Sequence, residues 1–254
     1  MQRNQGEDGV SMEAGIPVVM VPGLNCSARV YAPQLPALWQ FGPVQIADHR
    51  RGNSMAAIAR SILAHAPREF ALVGFSMGGY ISLEILRQAK ERVRKLALID
   101  TAAAADRPDQ TEKRHKNIAL TREGKAAERE EALWPLLVHE SRLNDEAIRS
   151  VVKEMHQETG SEGYIKQKTA VMGGGDSRPL LRDFQKKTLI VVGDSDQLTP
   201  PEAAKEMHAL VAGSKLDVIP NCGHMSTLER PDRVTKLLVE GLAGSVRVRT
   251  TFPA

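Results

Sequence analysis

The chain has 254 residues, and its 34 basic and 31 acidic side chains leave a formal net charge of +3. This near balance argues against nucleic acid as a partner, and an aromatic content of 4% argues against a stacking platform for single strands. Two widely separated cysteines favour a reducing compartment and hence a cytoplasmic protein, and no apolar run reaches the length of a membrane span.

The N-terminal residues 1–15 are polar and contain no apolar stretch. They therefore do not resemble a signal peptide, and we predict that they form a mobile leader. The segment 16–21 that follows is almost entirely apolar, a pattern typical of strands that are buried on both faces of a parallel sheet. Pro22 and Gly23 end this strand, and a loop that contains Leu24 begins there.

Apolar segments of strand length recur along the chain. They lie at 16–21, 44–47, 70–73, 96–100, 188–192 and 216–219. Stretches with helical spacing separate most of them, such as the one that holds Ile58 and Ile62, for which Ser54 is the expected N-cap. The alternation of buried strands with helices predicts an α/β fold with a mostly parallel sheet.

The composition changes between residues 102 and 182, where Lys, Arg and Glu are abundant. Apolar residues follow one helix face at Ile148, Val151, Val152 and Met155, and no strand pattern is evident. We predict an all-helical insertion, with its balanced charges on a solvated outer face.

The segment Gly74–Gly78 has the pattern G-x-S-x-G and lies between a predicted strand and a predicted helix. A serine at the apex of such a turn directs its hydroxyl away from the sheet, and the flanking glycines allow strand and helix to approach closely. The N–H of Met77 then lies at the start of the helix, where backbone donors lack partners and the dipole favours negative charge. This position suits the oxyanion of a tetrahedral intermediate.

A serine hydroxyl is a weak nucleophile until a base takes its proton. Of the seven histidines, His224 is the one that follows a predicted strand late in the chain, whereas His49 follows a strand upstream of the serine. Three carboxylates compete for the imidazole. Asp194 and Asp196 follow one predicted strand, and Asp100 ends the strand after the serine turn.

Four short motifs each follow a predicted strand. They are V-P-G-L at 21–24, G-F-S-M-G at 74–78, G-D-S-D-Q-L-T-P at 193–200 and G-H at 223–224. In these residues and in their order the chain resembles the α/β-hydrolase superfamily, in particular capped carboxylesterases and enol-lactone hydrolases. The resemblance extends over nearly all of residues 16–242.

The resemblance implies a role for each of five residues. Ser76 would be the nucleophile and His224 the base, and the family's G-x-x-D pattern selects Asp196 as the acid that orients the imidazole. The backbone N–H groups of Leu24 and Met77 would form the oxyanion hole.

The resemblance also implies a division of the chain. The hydrolase core would comprise 16–101 and 183–243, with a helical cap at 102–182 and a loose tail at 244–254. Relatives usually open with a two-stranded hairpin, for which the leader is too short, so we expect about six main strands with the one at 44–47 near an edge. Pro22-Gly23 stands where relatives often have His-Gly, but the donor that follows is a backbone N–H and does not need the histidine.

Together these features predict a serine hydrolase that cleaves a small carboxylic ester or lactone through an acyl-enzyme. Cleavage of a thioester, amide or C–C bond also fits, because fold does not determine substrate. A ligand-binding receptor with vestigial hydrolase activity is the alternative from another class. The serine argues against dehalogenases and epoxide hydrolases, whose relatives carry aspartate there.

No metal or nucleotide motif is present, so no cofactor is predicted, and the expected partner is a small-molecule ester or lactone rather than nucleic acid or a membrane.

Two groups of side chains allow two interpretations each. Cys26 and Cys222 lie near predicted site loops and form either a thiol pair across the site or two inert buried thiols. Four apolar residues of the insertion fit an acyl pocket and the insertion's own core equally well. They are Trp134, Leu137, Met155 and Met172.

Overall fold

One parallel sheet forms the centre of the protein. The computed structural model describes residues 15–40 and 42–242, so the predicted tail, and the predicted leader except Gly15, lie outside the described residues. The strands of this part are β1 (Val18–Val21), β2 (Val44–Ile46), β3 (Phe70–Phe75), β4 (Val93–Ile99), β5 (Thr188–Gly193) and β6 (Lys215–Ile219). These six described strands form a single sheet in the order β2-β1-β3-β4-β5-β6, and every neighbouring pair is parallel.

The predicted strands are confirmed, including the position of β2 at an edge of the sheet. The largest difference in a boundary is at β4, which begins at Val93 rather than at Leu96. Arg94 and Lys95 are polar, so the apolar pattern that predicts strands does not extend to this end of β4. Lys95 nevertheless pairs with Ala71 of β3, and its Nζ donates a hydrogen bond of 2.6 Å to the carbonyl of Leu242.

Helices connect the strands and cover both faces of the sheet. They are α1 (Leu35–Trp39), α2 (Met55–His65), α3 (Met77–Ala89), α4 (Pro108–Arg122), α5 (Ala126–Leu137), α6 (Glu146–Met172), α7 (Arg178–Arg182), α8 (Pro201–Leu210), α9 (Ser226–Glu229) and α10 (Pro231–Leu242). As predicted, Ser54 caps α2, since its Oγ accepts a hydrogen bond of 3.2 Å from the N–H of Ala57. Across the described chain, no helix combines the length and apolar character needed to cross a membrane.

The sheet separates two hydrophobic layers, because successive side chains of a strand point to opposite faces. In β1, Val19 and Val21 pack in the layer that contains residues of α2, α3 and α8. Val18 and Met20 pack in the other layer, with residues of α1 and α10. Both faces of the strand are covered, which explains why its sequence is continuously apolar rather than alternating.

The segment 102–182 is helical as expected, with α4 to α7 and no strand among its described residues. Gly160 interrupts α6 with a φ of 69°, a left-handed conformation that costs glycine little. Beyond this break, Gln167 of α6 hydrogen-bonds the backbone of Asn25 in the loop after β1. The segment therefore lies against the carboxyl end of the sheet, where the loops that carry the predicted site emerge.

Candidate active site

Ser76 occupies the sharp turn between β3 and α3. With a φ of 52° and a ψ of −118°, Ser76 has a strained backbone conformation that residues with a side chain rarely adopt. The turn depends on its glycines, because a Cβ on Gly78 would lie 2.0 Å from the carbonyl oxygen of Val21, and one on Gly74 would lie 2.5 Å from that of Gly78. The local sequence thus permits close contact between strand and helix and directs the Ser76 hydroxyl outward.

His224 lies beside this hydroxyl, in the loop that follows β6. Its Nε2 is 2.8 Å from Ser76 Oγ, although the two residues are 148 positions apart in the chain. The imidazole is buried and its ring centroid lies 5.4 Å from that of Phe75, at the end of β3. The structure therefore brings together two of the residues that the sequence singled out.

Asp196 holds the other side of the imidazole. Its Oδ2 lies 2.8 Å from His224 Nδ1 and accepts a further bond of 2.7 Å from the Thr199 hydroxyl. Its Oδ1 accepts from the backbone N–H groups of Leu198 and Thr199, at 2.8 and 2.9 Å. With a proton on Nδ1 donated to this carboxylate, Nε2 is left free to accept from the Ser76 hydroxyl.

The two rival carboxylates have other partners. Asp194 accepts hydrogen bonds from the backbone N–H groups of Asn221 and Cys222, at 2.9 and 3.1 Å, and so fastens the loop that leads to the histidine. Asp100 is fully buried, accepts a bond of 3.0 Å from the N–H of Gly193 and pairs with the hydroxyl of Ser226. Both support the loops around the imidazole.

The electrostatics place the negative charge on the carboxylate that faces the histidine. Burial opposes the charged imidazole, but the Asp196 carboxylate outweighs it and raises the pKa of His224 above its usual value. Burial also acts against the charge of Asp196, but His224 and the bonds from Thr199 outweigh it and lower the pKa of that carboxyl. Burial and the nearby Asp196 raise the pKa of Asp100 well above its ordinary value, so Asp100 is the less charged of the two.

The two predicted oxyanion donors border the same cavity as Ser76 and His224. Met77 is the first residue of α3, so its N–H has no acceptor within the helix. Leu24 follows β1, and its N–H donates to no other residue of the described chain. Both amides are therefore available to a negatively charged oxygen above the serine.

Two residues that the sequence analysis did not place in the site hold the loop around Leu24. The Oε1 atom of Gln167 accepts a bond of 2.8 Å from the N–H of Asn25. On the other side, the buried His49 ring places Nε2 2.8 Å from the carbonyl oxygen of Gly23, and burial lowers the pKa of His49 to about 4. The neutral ring therefore donates to that carbonyl. No local sequence signal marks Gln167, since its partners lie more than a hundred residues upstream.

Glu229 supports the histidine loop in a similar way. Its buried carboxylate accepts bonds from the N–H groups of Gly223 and His139, at 3.0 and 2.8 Å. It thereby ties the residue before His224 to the helical segment 102–182. In the sequence it is an acidic residue in a charged stretch, with nothing to distinguish it from solvent-exposed neighbours.

A cavity of about 400 Å³ opens above Ser76. Its apolar lining comes mainly from the helical segment and includes Leu133, Leu136, Leu137, Val152, Met155 and Leu198. Of the four apolar residues considered for a pocket, Leu137 and Met155 border this cavity. Trp134 instead packs beside it and donates its Nε1–H to the carbonyl of Leu143 at 2.9 Å, and Met172 is likewise outside the lining.

The cysteines are both free and buried, which excludes a disulfide between them and matches the interpretation as two separate thiols. Cys26 borders the cavity, whereas Cys222 lies just before the histidine loop. Burial raises the pKa of Cys26 to about 12 and that of Cys222 still further. Among the described residues, no three side chains of the types that ligate metals stand together as a metal site.

Comparisons with known proteins agree with this architecture. A family model described as alpha/beta hydrolase fold matches residues 46–231. A pimeloyl-[acyl-carrier protein] methyl ester esterase of Neisseria meningitidis (strain H44/76) is 24% identical over 259 residues, which cover 96% of this chain and 100% of that protein.

Two solved structures are similar over most of their length. A thermophilic esterase from Thermogutta terrifontis has a TM-score of 0.81 and 27% identity, with 89% of each chain covered. The enol-lactonase from Burkholderia xenovorans LB400 has a TM-score of 0.82 over 91% of this chain and 92% of that chain. At 22% identity, the second likeness bears on the fold alone.

Proposed function

The chain belongs to the alpha/beta hydrolase fold family, and from this premise we propose that it is a serine hydrolase that cleaves a small carboxylic ester or lactone through an acyl-enzyme. The observation that carries the proposal is the contact of 2.8 Å between His224 Nε2 and Ser76 Oγ. The similarity to an esterase at 27% identity supports the choice of an ester bond over the thioester, amide and C–C bonds that the motifs also allow.

In the first half of the reaction, His224 Nε2 takes the hydroxyl proton as Ser76 Oγ attacks the carbonyl carbon. The carbonyl oxygen becomes an oxyanion and accepts hydrogen bonds from the N–H groups of Leu24 and Met77. Asp196 stabilises the imidazolium and holds its Nδ1–H in place. The imidazolium then gives its proton to the leaving alkoxide as the C–O bond breaks, which leaves an acyl-serine.

In the second half, water enters and His224 takes one of its protons. The hydroxide oxygen bonds to the acyl carbon, and the same two amides bind the second oxyanion. When this intermediate collapses, Ser76 Oγ leaves and recovers the proton from His224. The products are a carboxylic acid and the free enzyme, so each turnover consumes one water and needs no cofactor.

The helical segment 102–182 acts as a cap in this proposal. It contributes Leu137, Val152 and Met155 to the cavity wall and Gln167 to the loop that carries Leu24. An apolar roof excludes water from the acyl group and strengthens the electrostatic contacts below it. The two free thiols support the cytoplasmic location predicted from the sequence.

Turnover of p-nitrophenyl butyrate, together with labelling by a fluorophosphonate, tests the proposal. Ser76→Ala is expected to lower kcat by roughly 10⁴-fold or more and to abolish labelling. The exposed Ser150→Ala serves as the matched control and retains both. Unchanged turnover in Ser76→Ala would refute the assignment. Release of one equivalent of product without further turnover would favour the receptor with vestigial activity.

A further inference from the structure

The amino group of Lys168, on α6, has no counter-ion in the part of the chain that the structure describes. Its side chain borders the same cavity as Ser76 and is only partly exposed. Among the described residues, no acceptor lies within hydrogen-bond distance of its Nζ, and its nearest aromatic contact is the ring of Tyr164, 5.5 Å from Nζ to the ring centroid. A partly buried ammonium is costly without a partner, so the arrangement calls for an anion that the chain itself does not supply.

The neighbouring arginines are already neutralised. Arg114 makes two bonds to Asp106, at 2.5 and 2.7 Å, and Arg129 donates to Glu130 at 2.7 Å. Lys113 also borders the cavity but is exposed to solvent, so Lys168 is the partly buried cation of this described lining that has no acidic partner. Burial, with repulsion from Arg114 and Arg129, lowers its pKa to about 7. A negative charge that binds beside the amino group would raise this pKa again.

The remainder of the cavity defines what kind of anion fits. Its lining has two sides, a polar one with Asp109, Lys113 and Asn117 of α4 and an apolar one with Leu137, Val152 and Met155. The apolar side suits an aliphatic acyl chain, with its charge confined to one end. One unpaired ammonium balances one negative charge, which matches a carboxylate better than a phosphate with its higher charge and three acceptor oxygens.

We infer that Lys168 binds a carboxylate on the acyl part of the substrate, so that the preferred substrates are monoesters of aliphatic dicarboxylic acids or lactones with a free carboxylate. This inference rests on the proposed function and specifies its substrate class. The ester carbonyl sits at Ser76 and the apolar chain lies along the cap. The distal carboxylate pairs with Lys168, which makes it a specificity-determining residue.

The test compares matched substrates that differ only in the distal charge. Monomethyl esters of linear dicarboxylic acids from succinate to suberate are assayed beside the corresponding methyl ester monoamides, which have the same shape and no charge. Wild-type protein is expected to favour the carboxylate by kcat/KM, and Lys168→Met is expected to reduce this preference by about tenfold to hundredfold. Lys168→Arg should retain part of it. Lys166→Met, an exposed lysine two positions away on the same helix, should leave the preference unchanged.

A binding measurement separates this inference from the proposed reaction. Adipate and glutarate are expected to raise the Tm of wild-type protein more than hexanoate does, and this difference should disappear in Lys168→Met. A protein that hydrolyses no ester but shows this shift would overturn the proposed function and support the carboxylate site. Ester turnover with neither charge preference nor shift would overturn the inference alone, as would a shift with inorganic phosphate and none with dicarboxylates.

Discussion

The side-chain oxygen of Gln167, on α6, accepts a hydrogen bond of 2.8 Å from the backbone N–H of Asn25. Asn25 directly follows Leu24 and has a φ of 60°, a left-handed conformation that needs support from its surroundings. The helical segment thus helps to hold the loop that carries a proposed oxyanion donor. Because one residue of the helical segment holds the backbone of this loop, the proposed function predicts that the segment influences activity.

Replacing this residue tests the link. Gln167→Leu removes the acceptor for the Asn25 N–H and lets the Leu24 amide shift, so we expect kcat to fall about tenfold with little change in KM. This loss is smaller than the ~10²–10³-fold cost of removing an oxyanion donor outright, because the donor remains. Lys166→Met on the same helix is the control. A rise in KM with unchanged kcat would show that Gln167 acts only on substrate binding.

The choice between neighbouring carboxylates provides a second prediction. Asp196→Asn keeps the shape of the side chain but removes the charge that faces His224, so we expect kcat to fall by roughly 10³- to 10⁴-fold with little change in fold. Asp194→Asn is the matched control, since that side chain bonds the backbone of Asn221 and Cys222. We expect it to lower Tm while kcat stays within about tenfold of wild type, as for the loss of ordinary hydrogen bonds. The reverse pattern would transfer the acid role to Asp194.

The pH dependence of kcat/KM reports the imidazole. His224 must be neutral to accept the serine proton, and its pKa lies above the ordinary value of 6.5 because of Asp196. Activity is therefore expected to fall as the pH drops, with the midpoint of this limb above pH 6.5. In Asp196→Asn the raising charge is gone while burial remains, so the midpoint of the residual activity should move to lower pH. A wild-type midpoint below 6.5 would contradict this account.

Because the turn at the serine is tight, we expect two glycine positions to differ sharply in how well they tolerate alanine. A Cβ on Gly78 would lie 2.0 Å from the carbonyl oxygen of Val21, whereas one on Gly175 would meet nothing within 4 Å. Gly78→Ala therefore requires the backbone of β1 or α3 to shift and is expected to destabilise the fold by several kcal/mol, in the range of severe overpacking. Gly175→Ala should leave Tm nearly unchanged. Thermal unfolding of the purified variants, or failure of Gly78→Ala to accumulate in folded form, provides the measurement.

The thiols provide a fifth prediction. Burial raises the pKa of Cys26 to about 12 and raises that of Cys222 as well, so little thiolate exists near neutral pH. We expect neither thiol to react appreciably with Ellman's reagent in the native protein and both to react after denaturation. Activity should also survive incubation with iodoacetamide. Rapid modification of native protein at Cys26, which borders the cavity, would show that the site admits reagents and activates the thiol.

Much of the fold was predictable because its signals are local. Buried parallel strands are continuously apolar, and β1, β3 and β5 were readable from this pattern alone. The start of β4 at Val93 was missed, since the polar Arg94 and Lys95 that follow carry no such signal. The signal for Ser76 was also local, because a strand, a glycine-flanked serine and a helix lie within one short stretch and together determine the turn.

The amino-acid sequence by itself determined the order of strands and helices along the chain and the residue types capable of acyl transfer. Only the tertiary structure decided which of them meet. Asp194, Asp196 and Asp100 all stand at strand ends, yet it is Asp196 that reaches the His224 ring. Asp194 instead accepts from the backbone of the loop before the histidine, and Asp100 accepts from the N–H of Gly193 at the end of β5. Gln167 had no signal of its own, since its partners Asn25 and His49 lie more than a hundred residues upstream, and no local pattern shows that Lys168 borders the cavity. Such contacts depend on the packing of the helical segment over the sheet, which no local pattern encodes.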